Sequence, residues 1–221
     1  MNKEKIIVFG TGDIAQLAHY YFTHDSNFEV VAFTVDRAYC HQDNFEQKPL
    51  IPFDEIQTHF PPASYSLFVA LSYAQMNQLR EKKYHEAKAK GYSLVSYISS
   101  RCSYLSQFPA GENCFILENN TIQPFVQIGH NVTLWSGNHI GHHSIIANHN
   151  FISSQVVISG HCHIDTHCFI GVNACIAHQV QVAKETLIGA GCVITKNTSF
   201  QSVHVPARSV QLKQPSASFT L

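Results

Sequence analysis

The chain has 221 residues, of which 45% are hydrophobic and only 13% are charged, compared with about 25% charged residues in an average globular domain. Its 14 Lys and Arg residues against 15 Asp and Glu residues give a formal net charge of -1, which leaves no basic surplus for nucleic-acid phosphates or an anionic membrane. No apolar run reaches the roughly 18 residues of a membrane-spanning helix, and the first residues do not resemble a signal peptide. We therefore expect a cytoplasmic protein with no nucleic-acid and no membrane partner.

Residues 1–98 are predicted to form a small Rossmann-like α/β domain. Apolar runs alternate there with polar stretches of helical length, a pattern typical of a parallel sheet that carries helices on its faces. The predicted strands are 6–9, 30–35, 67–71 and 92–97, and the predicted helices are 13–23 and 74–90. Four prolines between positions 49 and 62 predict a loop-rich segment between the second and third strands.

A glycine-rich turn, GTGDIA at positions 10–15, follows the first predicted strand. Glycines in this setting allow a tight turn and a close approach of a phosphate to the N-terminus of the next helix. Because this region is only half of a doubly wound domain, we favour a nucleotide-sugar site over a complete NAD site. The predicted substrate-binding residues are Gly10, Thr11, Gly12 and Asp36. The alternative is a turn that merely begins a helix, with Asp13 complementing the helix dipole.

From residue 116 onward the sequence follows a six-residue repeat. Every sixth residue is aliphatic, fourteen times in succession: Ile116, Ile122, Ile128, Leu134, Ile140, Ile146, Ile152, Ile158, Ile164, Ile170, Ile176, Val182, Ile188 and Ile194. Most of them are followed four residues later by a second, small residue. One large and one small inward side chain per hexapeptide is typical of a parallel β-helix, in which each edge is a short strand plus a corner. Three edges close a coil of eighteen residues, so residues eighteen apart stand above one another.

The repeat also explains the cysteines and the low charge. The seven cysteines form no Cys-x-x-Cys pair, so the sequence favours neither a disulfide framework nor a zinc knuckle. We interpret Cys162, Cys168 and Cys192 as small inward residues of the solenoid in a reducing compartment. Few charges are needed where neighbouring subunits cover the outer wall. Residues 99–221 are therefore predicted to form an all-β parallel β-helix with a C-terminal tail.

The aliphatic ladder from Ile116 to Ile194, preceded by the N-terminal sequence IIVFGTGDIA, resembles the hexapeptide-repeat sugar acyltransferases of the PglD/NeuD type. The resemblance implies a left-handed β-helix, a homotrimer, and acetyl-CoA bound in the groove between the β-helices of adjacent subunits. It also implies that the N-terminal domain binds a nucleotide-linked amino sugar. The implied function is N-acetylation of that sugar in bacterial surface-glycan (O-antigen or capsule) biosynthesis, with O-acetylation of a sugar or sialic acid as the alternative.

Nine of the fifteen histidines fall between residues 130 and 178, and histidine is the natural general base for acetyl transfer near neutral pH. The resemblance also allows the alternative that no protein base is used, because a sugar amine with a pKa near neutral attacks unaided. The family's catalytic histidine lies in a motif that HHSII at positions 142–146 resembles, which implies His142 as the base. Gly160 stands eighteen residues further on and has no side chain to obstruct the pantetheine arm of CoA. His143 and His139 are the alternatives for the base. At Phe151 the sequence departs from related enzymes, which carry a second histidine there.

A shelf for the cofactor is predicted along a column of residues that shrinks from tryptophan to glycine: Trp135, Ser153, Gly171 and Gly189. The resemblance implies backbone contacts to CoA near Gly160, Val172 and Ala190. Lys196 and Arg208 are candidates for the CoA phosphates.

Three closely spaced histidines raise the question of a metal site: His161, His163 and His167. Because no carboxylate or cysteine completes an obvious ligand set, we predict no metal. Two functions of other classes stay open, namely a non-catalytic trimeric scaffold and a nicotinamide oxidoreductase that uses the GTGDIA turn. Binding of CoA distinguishes the enzyme from the scaffold, and a titration with NAD tests the oxidoreductase.

Overall fold

The structure, a computed structural model, describes residues 3–207 together with residues 209, 211 and 213. Arg208, one of the candidates for the CoA phosphates, lies outside the described residues. An α/β region comes first along the chain, and a stack of short parallel strands begins at Tyr97. This architecture confirms the predicted combination of an α/β region with a parallel β-helix. The division into two domains after residue 98 stays a prediction.

A five-stranded sheet forms the centre of the α/β region. The elements are β1 (Glu4–Phe9), α1 (Asp13–His24), β2 (Phe28–Val35), β3 (Asn44–Phe45), β4 (Lys48–Pro52), α2 (Ile56–His59), β5 (Ser66–Val69) and α3 (Gln78–Ala89). The strand order is β3-β4-β2-β1-β5, and only β3 and β4 pair in the antiparallel direction. Within the part of the chain that the structure describes, no helix is both long enough and apolar enough to cross a membrane.

Three predicted features of this region differ from the structure. Helix α3 begins later than the predicted residue 74, because Gln75, Met76 and Asn77 have left-handed backbone conformations with φ of 54°, 51° and 66°. The predicted strand 92–97 does not join the sheet as a strand, since Leu94 forms only an isolated bridge with Leu67. The proline-rich segment is more ordered than predicted and contains β4 and α2.

The β-helix consists of two-residue strands. They are β6 (Tyr97–Ile98), β7 (Ser103–Tyr104), β8 (Phe115–Ile116), β9 (Thr121–Ile122), β10 (Gln127–Ile128), β11 (Thr133–Leu134), β12 (His139–Ile140), β13 (Ile145–Ile146), β14 (Phe151–Ile152), β15 (Val157–Ile158), β16 (His163–Ile164), β17 (Phe169–Ile170), β18 (Cys175–Ile176), β19 (Gln181–Val182), β20 (Leu187–Ile188), β21 (Val193–Ile194) and β22 (Val203–His204). Residues eighteen apart pair in parallel, as Ile140 does with Ile158. The predicted coil length is therefore confirmed.

These strands form three sheets that meet at three corners. The sheets have seven strands (β22-β20-β17-β14-β11-β8-β6), six strands (β21-β18-β15-β12-β9-β7) and four strands (β10-β13-β16-β19). The first corner, between the seven- and six-stranded sheets, comprises 135–137, 153–155, 171–173 and 189–191. The second corner, between the six- and four-stranded sheets, comprises 141–143, 159–161 and 177–179. The third corner, between the four- and seven-stranded sheets, comprises 147–149, 165–167 and 183–185.

The fourteen aliphatic residues of the repeat fill the interior of the coils. All of them are buried and belong to one continuous hydrophobic cluster. Cys162, Cys168 and Cys192 lie in the same cluster, which confirms their interpretation as small inward residues. The amide of the inward Asn120 is also buried, and its Nδ2 donates to the carbonyl oxygen of Trp135 at 2.9 Å. Polar inward residues are thus accommodated where they reach a corner carbonyl group.

A second six-residue pattern, which the hydrophobic repeat does not reveal, lies in the backbone of the corners. One residue in each hexapeptide has a left-handed conformation with φ between 56° and 79°: Asn113, Asn119, Phe125, Asn131, Gly137, His143, His149, Gln155, His161, His167, Asn173, Gln179, Glu185 and Gly191. Asparagine, glycine and histidine tolerate this conformation better than most residues. Four histidines therefore project from corners at positions that the coil backbone fixes.

We expect Ile164→Ala to lower the free energy of unfolding by about 3 kcal/mol, because it leaves a cavity among fully buried side chains. His163→Ala in the same strand is the matched control, since His163 is exposed, and it should change the free energy by less than about 0.5 kcal/mol. Urea unfolding followed by circular dichroism measures both variants. Equal losses in the two would contradict the inward position of every sixth residue.

Candidate active site

His142 lies at the second corner, against Gly160 of the next coil. A Cβ atom added to Gly160 would stand 2.8 Å from Nε2 of His142, so a side chain at position 160 would displace the imidazole. The side chain of His142 is exposed, and its backbone N–H donates to Oε1 of Gln123 at 2.9 Å. The structure thus brings together the predicted base and the predicted open position.

The other ring nitrogen of His142 contacts the next residue in the sequence. Nδ1 of His142 and Nδ1 of His143 are 3.0 Å apart, a distance at which one nitrogen carries the proton and the other accepts it. When His142 is the donor, its Nε2 keeps a free lone pair against Gly160, which is the form that a general base requires. The ring of His143 is held between those of Phe125 and His161, with centroids 4.5 and 4.8 Å away.

Two more imidazoles complete an exposed cluster at the second corner. The ring centroid of His161 lies 5.0 Å from that of His142 and 5.4 Å from that of His178. Partial desolvation lowers the pKa of His161, and the neighbouring imidazoles lower it further. We refer to His142, His143, His161 and His178 as the imidazole cluster. His139, the other alternative for the base, lies outside it in β12, where the side chain is half-buried.

The residues predicted to bind CoA divide between two corners. Lys196 follows β21 by two residues, as Gly160 follows β15 and His142 follows β12, so these three belong to one column. Val172 and Ala190 stand in the first corner, on the other side of the six-stranded sheet. Within one chain, therefore, the structure does not bring the four cofactor candidates into a single site.

A pocket of about 410 Å³ opens at the first corner. Its lining residues are Tyr73, Trp135, Phe151, Ser153, Ser154, Phe169, Gly171, Val172 and Ala190. Three of the four residues in the predicted shelf line this pocket, and Gly189 is the exception. A Cβ atom on Gly171 would stand 2.5 Å from the backbone nitrogen of Ala190, so the glycine is required for the coils to stack here. The indole N–H of Trp135 has no hydrogen-bond partner among the described residues.

Phe151 is part of an aromatic wall that the sequence did not predict. Its ring stacks on that of Phe169 at 5.8 Å, and Tyr73 from the segment after β5 packs against both. The guanidinium of Arg80 lies 5.8 Å from the centre of the Phe151 ring. A phenyl ring donates no hydrogen bond, so Phe151 cannot supply the donor that a histidine at this position would offer.

The four residues predicted to bind the nucleotide sugar line one pocket of about 330 Å³ at the carboxyl ends of β1, β2 and β5. Gly10 has a φ of 128°, and a Cβ atom there would stand 2.7 Å from the carbonyl oxygen of Ala70, so this turn requires glycine. Gly12 caps the N-terminus of α1, where backbone N–H groups are left without intrahelical partners. The structure thus brings Thr11 and Asp36 together with both glycines.

Lys83 of α3 also lines this pocket and was missed by the sequence analysis. Its Nζ lies 2.6 Å from Oδ1 of Asp36 and 2.7 Å from Oε2 of Glu86. Burial alone would lower the pKa of Lys83, but the hydrogen bonds to the two carboxylates raise it. Because only one carboxylate oxygen of Asp36 contacts Lys83, the side chain is oriented and still 40% exposed. Tyr39 and Leu79 complete this wall.

Helix α3 docks on the β-helix through buried polar groups. Arg80 is fully buried and donates through Nη2 to the carbonyl oxygen of Asn150 at 2.9 Å. Burial lowers the pKa of Arg80 to about 10. The Glu81 carboxylate contacts Nε2 of His149 at 3.2 Å and Nε2 of His167 at 3.0 Å. These two buried histidines stand in the third corner, eighteen residues apart.

A chain of side-chain amides fixes the tautomer of His149. The backbone N–H of Val69 donates to Oδ1 of Asn113, and Nδ2 of Asn113 donates to Oδ1 of Asn131. The amino group of Asn131 is thereby turned towards Nδ1 of His149, 2.9 Å away. Nδ1 must therefore accept, and Nε2 carries the proton and faces Glu81. Burial lowers the pKa of His149 to about 4.

The two candidate sites are not joined within one chain. The polar and aromatic contacts between the α/β region and the β-helix involve the seven-stranded sheet and the first and third corners, as for Arg80, Tyr73 and Glu81. Among the described residues, no such contact reaches the imidazole cluster. Among the described residues, therefore, no polar or aromatic contact links His142 to the pocket at Asp36.

Comparison with known proteins finds solved structures with a similar fold. No protein-family model matches the chain, and no curated protein matches it. The acetyltransferase domain of PglB from Neisseria gonorrhoeae FA1090 superposes with a TM-score of 0.80 at 20% identity, over 91% of this chain and 96% of that one. The same domain has been solved with acetyl coenzyme A.

Two further solved structures share the architecture. WeeI from Acinetobacter baumannii AYE has a TM-score of 0.74 at 18% identity, over 90% of this chain and 93% of that one. PerB from Caulobacter crescentus, solved with CoA and GDP-perosamine, has a TM-score of 0.68 at 18% identity, over 91% of both chains. At these identities the likeness shows the fold, an α/β region followed by a β-helix.

The burial of His149 beside Glu81 predicts a pH-dependent stability. The folded pKa of His149, about 4, lies below its ordinary value of 6.5, so the unfolded chain binds the extra proton between these pH values. The contribution of His149 to the free energy of unfolding is therefore complete above pH 6.5. It is lost as the pH falls towards 4, with a slope of at most about 1.4 kcal/mol per pH unit. Protonation would also set an N–H of His149 against the amino group of Asn131.

His149→Asn removes this titration and keeps a residue that tolerates the left-handed backbone, as Asn131 does. We expect the free energy of unfolding of the wild type to fall more steeply than that of the variant between pH 6.5 and 4. Urea unfolding at a series of pH values measures the two slopes. His41→Asn at an exposed position controls for the loss of a histidine. Parallel curves for the wild type and His149→Asn would contradict the prediction.

Proposed function

We propose that the protein is an acetyl-CoA-dependent N-acetyltransferase that acts on a nucleotide-linked amino sugar. The observation that carries the proposal is the placement of His142, whose Nε2 lies against Gly160 while its Nδ1 is hydrogen-bonded to His143. An imidazole in this setting is oriented, exposed and able to take up one proton. A base of this kind accepts the proton that the attacking amine loses during acetyl transfer.

In the proposed reaction, the amine nitrogen of the sugar attacks the thioester carbonyl carbon of acetyl-CoA. The C–N bond forms, and the C–S bond breaks from the tetrahedral intermediate. Nε2 of His142 accepts the proton that leaves the amine and passes it to the CoA thiolate, so the products are an acetamido sugar and the CoA thiol. The carbonyl oxygen carries negative charge in the intermediate and requires hydrogen-bond donors. The backbone N–H groups of Val172 and Ala190, which line the first-corner pocket and donate to no carbonyl group of the described residues, are the candidate donors.

The pocket in the α/β region suits the nucleotide part of the substrate. Gly10 and Gly12 allow a phosphate to approach the N-terminus of α1, and Asp36 presents an oriented carboxylate to a ribose or a base. The likeness to PerB, which was solved with GDP-perosamine and CoA, supports this class of substrate. The PglB domain solved with acetyl coenzyme A supports the acyl donor. We place the reaction in bacterial surface-glycan biosynthesis, with O-acetylation of a sugar as the alternative outcome.

The proposed working unit is a homotrimer of left-handed β-helices with active sites between subunits. One chain separates the base and Lys196 at the second corner from Val172 and Ala190 at the first. Two chains packed side by side would let the second corner of one face the first corner of the next, completing the CoA groove. The outward positions of the six-stranded sheet between these corners include Val157 and Val193, exposed by 41% and 68%. Apolar residues on this face are consistent with a subunit contact.

We expect the protein to transfer one acetyl group from acetyl-CoA to a member of a panel of UDP-, dTDP- and GDP-linked amino sugars. Mass spectrometry of the products identifies the substrate and separates N- from O-acetylation. His142→Gln should lower kcat by about 100-fold or more, since it removes the base. The matched variant His139→Gln should leave kcat unchanged, and His143→Asn should have a smaller effect than His142→Gln because it only orients the base.

Two results would count against this proposal. Full activity of His142→Gln would reassign the base, either to His143 or to the amine itself. Absence of CoA binding by calorimetry would overturn the enzymatic function and favour a scaffold.

Complementation between two inactive variants tests the position of the site between subunits. Asp36→Asn impairs the nucleotide pocket and His142→Gln removes the base, so each homotrimer alone should be nearly inactive. Mixed trimers, co-expressed with two different affinity tags and purified on both, should recover about one third of wild-type activity, since one of three sites draws both intact residues from different chains. No recovery in purified mixed trimers would mean that each chain supplies both residues of its own site.

A further inference from the structure

The imidazole cluster has a chemistry that the proposed transfer reaction does not use. General base catalysis requires one imidazole, whereas the second corner carries four in one exposed group. None of the four forms an ion pair among the described residues. A concentration of imidazoles without carboxylates resembles the nitrogen-rich ligand sets of zinc, nickel and copper rather than those of calcium or magnesium.

The distances suit a single small metal ion. One ring nitrogen from each of His142, His143 and His161 lies within 4.8 Å of the others. The Nδ1 atoms of His142 and His143 are already 3.0 Å apart. Tetrahedral zinc, with Zn–N distances near 2.0–2.1 Å, would require nitrogens about 3.4 Å apart. To bind at that distance, the exposed ring of His161 would have to rotate out of its stack with His143.

The backbone of the coils preorganises this trio. His143 and His161 have the same left-handed conformation, with φ of 57° and 58°, and lie eighteen residues apart at the same corner. The backbone N–H of His161 donates to the carbonyl oxygen of His142 at 2.9 Å. The three Cα positions are therefore set by the ladder between the coils, and only side-chain torsions have to change on binding. Preorganised ligands lose less conformational entropy than ligands on mobile loops.

A second histidine group in the protein does not meet the same requirements. Glu81, His85 and His149 also place their ligand atoms within 4.8 Å of one another. There, however, the amide chain through Asn131 forces Nδ1 of His149 to accept, so that Nε2 carries a proton and faces Glu81. A metal-bound histidine has the opposite arrangement, with a free lone pair on the metal side and an N–H on the other. In the imidazole cluster no amide restricts Nδ1 of His142 in this way.

We propose that His142, His143 and His161 form a binding site for a divalent transition metal ion, with zinc as the reference ion, and that occupancy of this site blocks the base. The binding site follows from the geometry of the cluster alone. The inhibition rests on the proposed function, because a metal ion bound to Nδ1 of His142 would keep the ring proton on Nε2, the nitrogen that has to accept the proton of the amine. Metal is thus an inhibitor of the proposed enzyme and is not needed for its reaction.

The binding test uses full-length protein from which any histidine tag and bound metal have been removed. Isothermal titration with Zn²⁺ should give one site per chain. His161→Asn, which keeps a residue that tolerates the left-handed backbone, should weaken that site by about 100-fold. His85→Gln is the matched control in the other histidine group and should leave the affinity unchanged. Co²⁺ should give visible absorption without the thiolate charge-transfer band that cysteine ligands produce.

Three results would overturn the site: no zinc binding by the wild type, a thiolate band with Co²⁺, or a loss of affinity in His85→Gln rather than in His161→Asn. The inhibition is tested separately in the acetyl-transfer assay. Zn²⁺ should inhibit with the midpoint found in the titration, EDTA should reverse it, and His161→Asn should shift both midpoints together. Binding without inhibition would overturn the inhibitory role. If no sugar is acetylated, the proposed function fails while the titration still decides the metal site.

Discussion

The structure depends on the eighteen-residue repeat of the coil, in which every hexapeptide contributes one inward aliphatic residue and one corner residue with a left-handed backbone. Ladder hydrogen bonds between coils hold this spacing, so a side chain at a corner stands beside the side chains eighteen residues before and after it. The coil therefore converts a sequence interval into a spatial neighbour. The stack of His143 on His161 and the pair of His149 and His167 arise in this way.

Much of this architecture could be predicted from the sequence because the large inward positions of the repeat carry only aliphatic residues. Aliphatic residues occur at every sixth position from Ile116 to Ile194 and all are buried in one hydrophobic cluster, so the pattern has no interruptions over this range. The left-handed corner positions carry a weaker signal, since Asn, Gly, His, Gln, Glu and Phe all occur there. In the α/β region the predicted start of α3 at residue 74 is wrong for a related reason. Residues 75–77 adopt left-handed conformations that their residue types do not predict.

The candidate site likewise has one part that the repeat predicts and one part that it does not. Its β-helical part could be predicted by counting in steps of eighteen from His142 to Gly160, and the same count places His178 and Lys196 in that column. The contributions of α3 could not be predicted in this way. The contacts of Lys83 with Asp36 and of Glu81 with His167 form only when the helix docks, and a surface helix offers many other charged residues with the same local sequence properties. Long-range docking leaves no periodic trace in the sequence.

Two groups of corner histidines in the same repeat have different properties because different groups lie opposite their rings. At the third corner, α3 covers the rings, the Glu81 carboxylate contacts both Nε2 atoms, and the amide of Asn131 permits only one tautomer for His149. Burial and a fixed proton make this imidazole a structural group. At the second corner no element of the described chain covers His142, and its Nδ1 faces another imidazole that can serve as donor or acceptor. Proton exchange and metal binding both require that freedom, so the chemistry of this protein is expected where the α/β region leaves the coil uncovered.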